Sequence, residues 1–260
     1  MTDSIIDAYA KELYEAEMCK KAVPPLVTRE DKLTIEDSYK IQLNNVERKL
    51  KAGWKIIGKK IGLTSLPMQK MLGVFEPDYG HLFDKMFISG HEVSCSTLIQ
   101  PKAEGELAFV LKEDVQGPGV TQFDVIRAVD YVLPAIEIID SRVEDWKIKI
   151  EDTIADNASS GQFIVGDNHF DLQEIDMFTT GMVFIKNGEV IATGTTAEVM
   201  GNPVKAVTWL INKLGDFGVG VKKGEIILSG SLTGAVGFTV NDTIEVVFDK
   251  MGSVFFRGKE

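Results

Sequence analysis

Sulfur and imidazole are scarce in this sequence of 260 residues, which has two cysteines, Cys19 and Cys95, and three histidines, His81, His91 and His169. The cysteines have no metal-pair spacing, and two thiols do not suggest the disulfide framework of a secreted domain. They read as core or surface thiols rather than nucleophiles, because no base lies near in sequence. A His-rich zinc site or a Ser-His-Asp triad has few candidates, so any metal is expected on oxygen ligands. The histidines show no ligand spacing and read as surface or loop residues. No run of eighteen uncharged apolar residues occurs, so no transmembrane helix and no membrane partner are expected. The first residues, MTDSIIDAYAKELYEAEMCKKA, lack a basic start followed by an apolar run. No secretory signal is therefore expected, and a cytoplasmic location is. Positive charge is short as well: Lys+Arg 28 against Asp+Glu 39 gives a net charge of −11. Such a balance repels phosphate backbones and argues against nucleic-acid binding.

What is present is ordinary globular composition, 44% hydrophobic and 26% charged, enough to bury a core without disulfides or a structural metal. The first fifty or so residues read as helical. Ile5, Ile6, Tyr9, Leu13 and Ala16 recur at helical spacing, and Pro24 and Pro25 interrupt them. A second helix is predicted from Thr34, a capping residue, with Asp37 at its third position. Its apolar face would be Ile35, Tyr39, Leu43, Val46 and Leu50, and Gly53 would stop it. This pair reads as a scaffold or oligomer contact, separating a helical segment, 1–54, from a β-rich catalytic part, 55–260. Beyond Gly53, strands are predicted at Lys55–Ile61, Gly105–Lys112, Val132–Asp140, Gly161–Val165, Met182–Lys186, Val190–Thr193, Glu225–Ser229, Thr243–Phe248 and Ser253–Arg257. Asn187-Gly188 between apolar runs marks a hairpin. Helices are predicted at Gln122–Asp130 and Val204–Phe217, the latter with Val207, Leu210, Ile211 and Leu214 on one face. Few and short helices among many strands predict an α+β fold rather than a doubly wound parallel sheet.

Three glutamates stand where strands rarely carry them. Glu104 and Glu106, at i and i+2 in PKAEGELAFVL, point to one face. Like charges so close repel unless a cation or protons intervene. Gly105 between them permits a close approach to the backbone. Glu137 interrupts the apolar run VLPAIEII, and a buried unpaired carboxylate costs several kcal/mol. One divalent cation held by Glu104, Glu106 and Glu137 would answer all three, and all-oxygen ligation suits Mg²⁺ or Mn²⁺. The alternative is a surface strand with Glu104 and Glu106 solvated and Glu137 paired with a lysine or arginine.

Other segments carry weaker signals. GKKIGLTS (58–65) ends a strand in a Gly-flanked turn whose lysines bind a carboxylate, move a proton, or are simply solvated. It lacks the P-loop order. FEPDYG places Asp78 in a turn, where aspartate is usually structural. DTIADNASSG (152–161) is dense in hydroxyls and amides that can meet a carboxylate or oxyanion, or it caps a helix. SGSLTG (229–234) is a second such loop, or a plain strand-end turn.

Together these stretches resemble the 2-keto-4-pentenoate hydratase / 4-oxalocrotonate decarboxylase family, within the fumarylacetoacetate-hydrolase-like superfamily. The resemblance rests on GKKIGLTS (58–65), LGVFEPDYGHLFDKM (72–86), PKAEGELAFVL (101–111), VLPAIEIIDSRVEDW (132–146), DTIADNASSGQFIVG (152–166) and GSLTGAV (230–236), in family order. It implies a helical N-terminal segment before a β-rich domain, and a metal on Glu104, Glu106 and Glu137. It also implies catalytic roles for Lys60, Asp78 and Ser160, and substrate contacts from Leu63, Thr64 and Ser159. Family members form homo-oligomers, often pentamers or decamers, and a decarboxylase or aldolase of the same pathway is an implied partner. The wording around Asp152-Thr153 and Gly161 is more similar to the hydratases, while IEIIDSR is shared with the decarboxylases. Gly201-Asn202-Pro203 departs from the Gly-His-Pro of many relatives.

The implied activity is metal-dependent hydration of 2-hydroxypenta-2,4-dienoate to 4-hydroxy-2-oxopentanoate in aromatic-compound catabolism. The alternative is decarboxylation of 4-oxalocrotonate on the same metal site. A third reading is a non-enzymatic small-acid-binding scaffold, in which the paired glutamates would have no purpose.

Overall fold

The computed structural model describes the backbone of residues 1–260 and the side chains of all but Met71 and Leu72. The chain opens with α1 (Asp3–Cys19) and α2 (Ile35–Lys51). Thr34 caps α2 by accepting from the Asp37 N–H at 3.1 Å, as the sequence predicts. The buried face of α2 is not the predicted one. Leu43 and Leu50 are exposed, while Ser38, Gln42 and Lys49 are buried beside Tyr39 and Val46. The helix turns polar groups inward because they have partners there. Lys49 Nζ meets Glu17 of α1 at 2.8 Å, and Gln42 reaches two backbone carbonyls. Among the described residues no helix is long and apolar enough to cross a membrane.

Short helices α3 (Leu66–Leu72), α4 (Gln122–Ala128) and α5 (Ile150–Ala155) punctuate the rest, with the longer α6 (Pro203–Gly215). Val207, Leu210, Ile211 and Leu214 of α6 are buried together, the face that period 3.6 predicts.

The strands are β1 (Ile56–Gly62), β2 (Asp78–Phe83), β3 (Glu92–Ser94), β4 (Pro101–Leu111), β5 (Val129–Asp140) and β6 (Ser160–Val165), then β7 (Gly181–Lys186), β8 (Glu189–Thr195), β9 (Ile226–Leu228), β10 (Val236–Gly237), β11 (Thr243–Phe248) and β12 (Gly252–Lys259). Every predicted strand is found, and β2, β3 and β10 are additional. One sheet has the order β2-β1-β9-β4-β5-β6, with β10 against β4; the other runs β3-β12-β11-β7-β8. Pairing is antiparallel except for β1–β9 and β12–β3. The architecture is the predicted α+β mixture.

Gly105 shows how the two sheets meet. A Cβ there would lie 2.8 Å from Val246 of β11 and 3.2 Å from Met182 of β7. The close approach predicted at this glycine is thus made by the second sheet. The two flanking side chains, Glu104 and Glu106, point to the opposite face.

Candidate active site

β4 and β5 pair so that Glu104 stands directly opposite Glu137, with Glu106 opposite Ala135. Each of Glu104, Glu106 and Glu137 offers an oxygen within 4.8 Å of the others. Glu106 and Glu137 are buried, and Glu104 is half-buried. Like charges placed opposite each other destabilise a sheet. Burial pushes Glu104 up to about 7, with Lys60 opposing and Glu137 adding to the shift. Burial, reinforced by Glu137 and Glu104, raises Glu106 well above the ordinary carboxylate range. Glu137 is also raised by burial, against the pull of Lys60.

Partners are too few for these groups. The Gly230 N–H donates to one oxygen of Glu106 at 2.8 Å. The other oxygen of Glu106 and both of Glu137 accept no hydrogen bond among the described residues. Buried carboxylates are rarely left this way without a cation or proton. The solvated-strand alternative for this set is therefore excluded, although the pairing of Glu137 with a lysine is real. Carboxylate oxygens alone in the donor set, with room for further oxygen ligands, fit a hard divalent cation.

Lys60 and Lys59 lie in the middle of β1 and are buried, not solvated at a turn. Lys60 Nζ is 3.4 Å from Glu137 and donates to the Ala158 carbonyl at 2.9 Å. Burial alone would depress its pKa, but Glu137, Asp78, Glu104 and Glu106 outweigh it and hold the ammonium above the usual lysine value. Asp78 is likewise not in a turn. It begins β2, paired with Gly62, and its carboxylate fits only because that residue is glycine: a Cβ at 62 would lie 2.1 Å from Asp78 Oδ1. Burial raises Asp78 to about 6, with Lys60 opposing. Both Asp78 oxygens and Ser160 Oγ are buried without hydrogen-bond partners among the described residues.

Lys60, Asp78 and Glu104 border a cavity of about 200 Å³, together with Leu63, Thr64 and Ser159, whereas Glu106, Glu137 and Ser160 are not among its lining residues. Its walls are held in unusual backbone. Leu63 is left-handed (φ 56°), and so are Asn157, Ala158 and Ser159 in succession (φ 56°, 51° and 51°). Such strain persists only where surroundings enforce it, often at functional sites. Gln69 donates to the Leu63 carbonyl at 2.8 Å. Asn157 brackets His81, accepting from its N–H at 2.8 Å and donating to its carbonyl at 2.9 Å.

His81 corrects another expectation, since it is buried. Gln42 uses its amide hydrogens on the Tyr79 and Ile154 carbonyls. Its oxygen therefore accepts, and His81 Nδ1, 3.1 Å away, carries the proton. Burial, with Lys59 adding, lowers His81 to about 3 and keeps it neutral. From the 152–161 segment Thr153, Ala158 and Ser159 reach the cavity. Asp152 instead accepts from the Leu26 N–H at 2.7 Å and anchors the segment after α1. The 229–234 loop supplies Ser231 and Thr233 to the wall. Gly230 has φ 105°, and a Cβ there would lie 2.3 Å from Thr64 Oγ1. Gln69, Lys102, Trp146 and Thr153 are further residues at or behind the wall that carry no local sequence signal.

The profile of the fumarylacetoacetate (FAA) hydrolase C-terminal domain matches residues 82–257. The chain is 46% identical over 251 residues to a 2-hydroxyhexa-2,4-dienoate hydratase of Comamonas testosteroni, covering 95% of each. It is 48% identical over 221 residues to a 2-hydroxypent-2,4-dienoate hydratase of Pseudomonas putida, covering 84% of this chain and 100% of that one. Among solved structures, the 4-oxalocrotonate decarboxylase from Pseudomonas putida G7, complexed with magnesium and adipate, superposes with a TM-score of 0.96 at 39% identity. That match covers 99% of this chain and 98% of the decarboxylase.

Proposed function

The chain belongs to the fumarylacetoacetate hydrolase family, and on that premise we propose that it is a divalent-metal-dependent hydro-lyase. It would convert 2-hydroxypenta-2,4-dienoate to 4-hydroxy-2-oxopentanoate. The observation that carries this is the set of carboxylate oxygens left without partners around Glu104, Glu106 and Glu137. Mg²⁺ or Mn²⁺ bound there would act as a Lewis acid toward the 2-oxygen and carboxylate of the substrate.

The remaining work falls to the chain. Lys60, fixed by Ala158 and Glu137, holds negative charge on the substrate carboxylate or enolate. Leu63, Thr64 and Ser159 shape the wall, and Ser160 donates to the carboxylate. Ketonisation moves the enol proton to C5 and leaves an enone. Water then adds its oxygen to C4, and C3 takes up the remaining proton. Asp78, with a pKa of about 6, is placed between acid and base near neutral pH and serves as the proton shuttle. We include in this reading a homo-oligomer, a pentamer or decamer, supported by exposed Leu43 and Leu50 on α2.

A second reading, decarboxylation of 4-oxalocrotonate, is supported by the superposition on the decarboxylase. One assay separates them. EDTA-stripped protein is given Mg²⁺ or Mn²⁺, and dienol absorbance and CO₂ are followed. Metal-dependent loss of the dienol, with no CO₂ from 4-oxalocrotonate, establishes the hydratase. CO₂ release without hydration moves the assignment to the decarboxylase, and neither activity overturns both.

A further inference from the structure

Lys60 sits between unequal neighbours. Four carboxylates, those of Glu137, Asp78, Glu104 and Glu106, attract its buried ammonium. One neutral group, the Ala158 carbonyl, accepts from it at 2.9 Å. A lysine stem is flexible, so charge alone would draw the ammonium onto the carboxylates, where it would compete with a cation. The Ala158 carbonyl holds it clear, and that carbonyl must itself be kept in place. Local backbone preference does not keep it there. Asn157, Ala158 and Ser159 are left-handed in succession, a conformation that costs an alanine or serine about 1–2 kcal/mol.

The restraint comes from residues outside the cavity. β2 is an edge of its sheet, and the Asn157 carboxamide lies along it as a strand peptide would. Its Oδ1 accepts from the His81 N–H at 2.8 Å, and its Nδ2 donates to the His81 carbonyl at 2.9 Å. The turn comes this close because residue 80 is glycine, where a Cβ would collide with the Asn157 carbonyl oxygen. Gln42 of α2 closes the arrangement from behind. Its Nε2 donates to Tyr79 of β2 at 3.0 Å and to Ile154 of α5 at 2.9 Å, which ties the two elements together. Its Oε1 is fixed by His81 Nδ1 at 3.1 Å. Gln42, His81 and Asn157 do not line the cavity, so none of the three touches a bound acid there.

We propose that Asn157 and Gln42 are positioning residues for Lys60. Through His81 they hold the 157–159 turn so that the Ala158 carbonyl keeps the ammonium off the metal-binding carboxylates. Of its three N–H groups, one is then left for the substrate. The helical N-terminal segment thus supports the site as well as the scaffold, and Gln42 is its contribution. This role rests on the metal-dependent reading above, with Lys60 acting on substrate charge, and not on whether water addition or CO₂ loss follows.

A double-mutant cycle tests it, read as kcat at saturating Mg²⁺ in the assay above. Asn157→Gly removes the carboxamide, while glycine accepts the left-handed backbone, so the fold should survive. A fall of about tenfold in kcat is expected, with KM little changed. In a Lys60→Met background the same substitution should cost nothing further, because the two residues act as one unit. His81→Leu strips the donor from Gln42 and should lose a similar factor. His81→Asn, whose amide can stand in for Nδ1–H, should recover most of it. Equal kcat in Asn157→Gly and the unaltered protein, or losses that multiply in the double variant, overturn the positioning role and leave the metal-dependent reading standing. An unaltered protein without turnover of either acid overturns that reading and the positioning role with it.

Discussion

Around Arg142 the charged atoms are fully partnered; around Glu137, a few residues earlier in the chain, most are not. The Arg142 guanidinium donates to the Asp156 carboxylate and to the carbonyls of Asp140, Asp156 and Ser160, and the Arg142 N–H reaches the second Asp156 oxygen at 3.0 Å. Glu17 and Lys49 complete the group from α1 and α2. Burial raises Asp156 to about 6, with Arg142 opposing, yet neither oxygen lacks a donor. Glu106 and Glu137 are as deeply buried, and their cluster with Glu104 is far poorer in donors. Burial of charge is common to both, so burial does not mark the site. The missing partners do: a saturated cluster holds the chain together, and an unsaturated one has room in its bonding for a ligand.

The sharpest way to break this contrast is to cut each cluster once. Arg142→Ala takes the counter-charge and donors from buried Asp156 and from the carbonyls of Asp140, Asp156 and Ser160, and should destabilise the fold by about 3–5 kcal/mol, read as a large fall in melting temperature. Glu106→Gln should act in the opposite sense. Turnover is expected to fall by about 10²-fold or more, since a metal-bound oxyanion is worth several kcal/mol. The metal-free protein should melt higher, by roughly 1 kcal/mol, because a costly buried carboxylate is gone. A Glu106→Gln protein that is both active and less stable would erase the distinction. Asp78→Asn keeps the shape and removes the titrating group. A fall of about 10²-fold in kcat is expected, with the melting temperature little changed.

A gentler test uses pH. Folded Asp78 and Glu104 hold protons to about 6 and 7, against ordinary values of 3.8 and 4.5. Between those limits the folded chain binds more protons than the unfolded one. This stability is therefore fully present below about pH 4 and lost as pH rises through 6 to 7. EDTA-treated protein should melt lower at pH 8 than at pH 5, and saturating Mg²⁺ should flatten that slope. The smallest effect belongs to exposed pairs such as Lys147–Asp145, where Lys147→Ala should shift stability by less than about 0.5 kcal/mol.

What was legible in the sequence follows the same division. Glu104, Glu106 and Glu137 are visible because carboxylates inside apolar strands violate a local rule. Nine of the twelve strands are visible from short apolar runs between turn residues, and β2, β3 and β10 are not. Asp78 reads as a turn residue because Glu-Pro-Asp-Tyr-Gly carries turn signals, whereas its strand exists through pairing with β1. His81 reads as exposed until Gln42, from a helix far away in sequence, supplies its acceptor. Leu43 and Leu50 fit the helical period, but Lys49 and Gln42 have inward partners that period alone cannot reveal. Lys60 and Ser160 came from resemblance, since neither breaks a local pattern. Lys102 and Trp146 meet only through the turn after β5.

Gly105 also limits how this scaffold can diversify. The residue between the two strand glutamates is pressed by Val246 and Met182 of the other sheet. A Cβ there would press on the Val246 side chain at 2.8 Å and on the Met182 thioether at 3.2 Å, so a larger residue must displace these side chains of the opposite sheet. The separation of the layers and the spacing of the Glu104 and Glu106 carboxylates are therefore coupled through one residue. Selection for a new substrate is free to vary the loops at the cavity mouth, but a change at this position must be met by compensating changes in the opposite sheet.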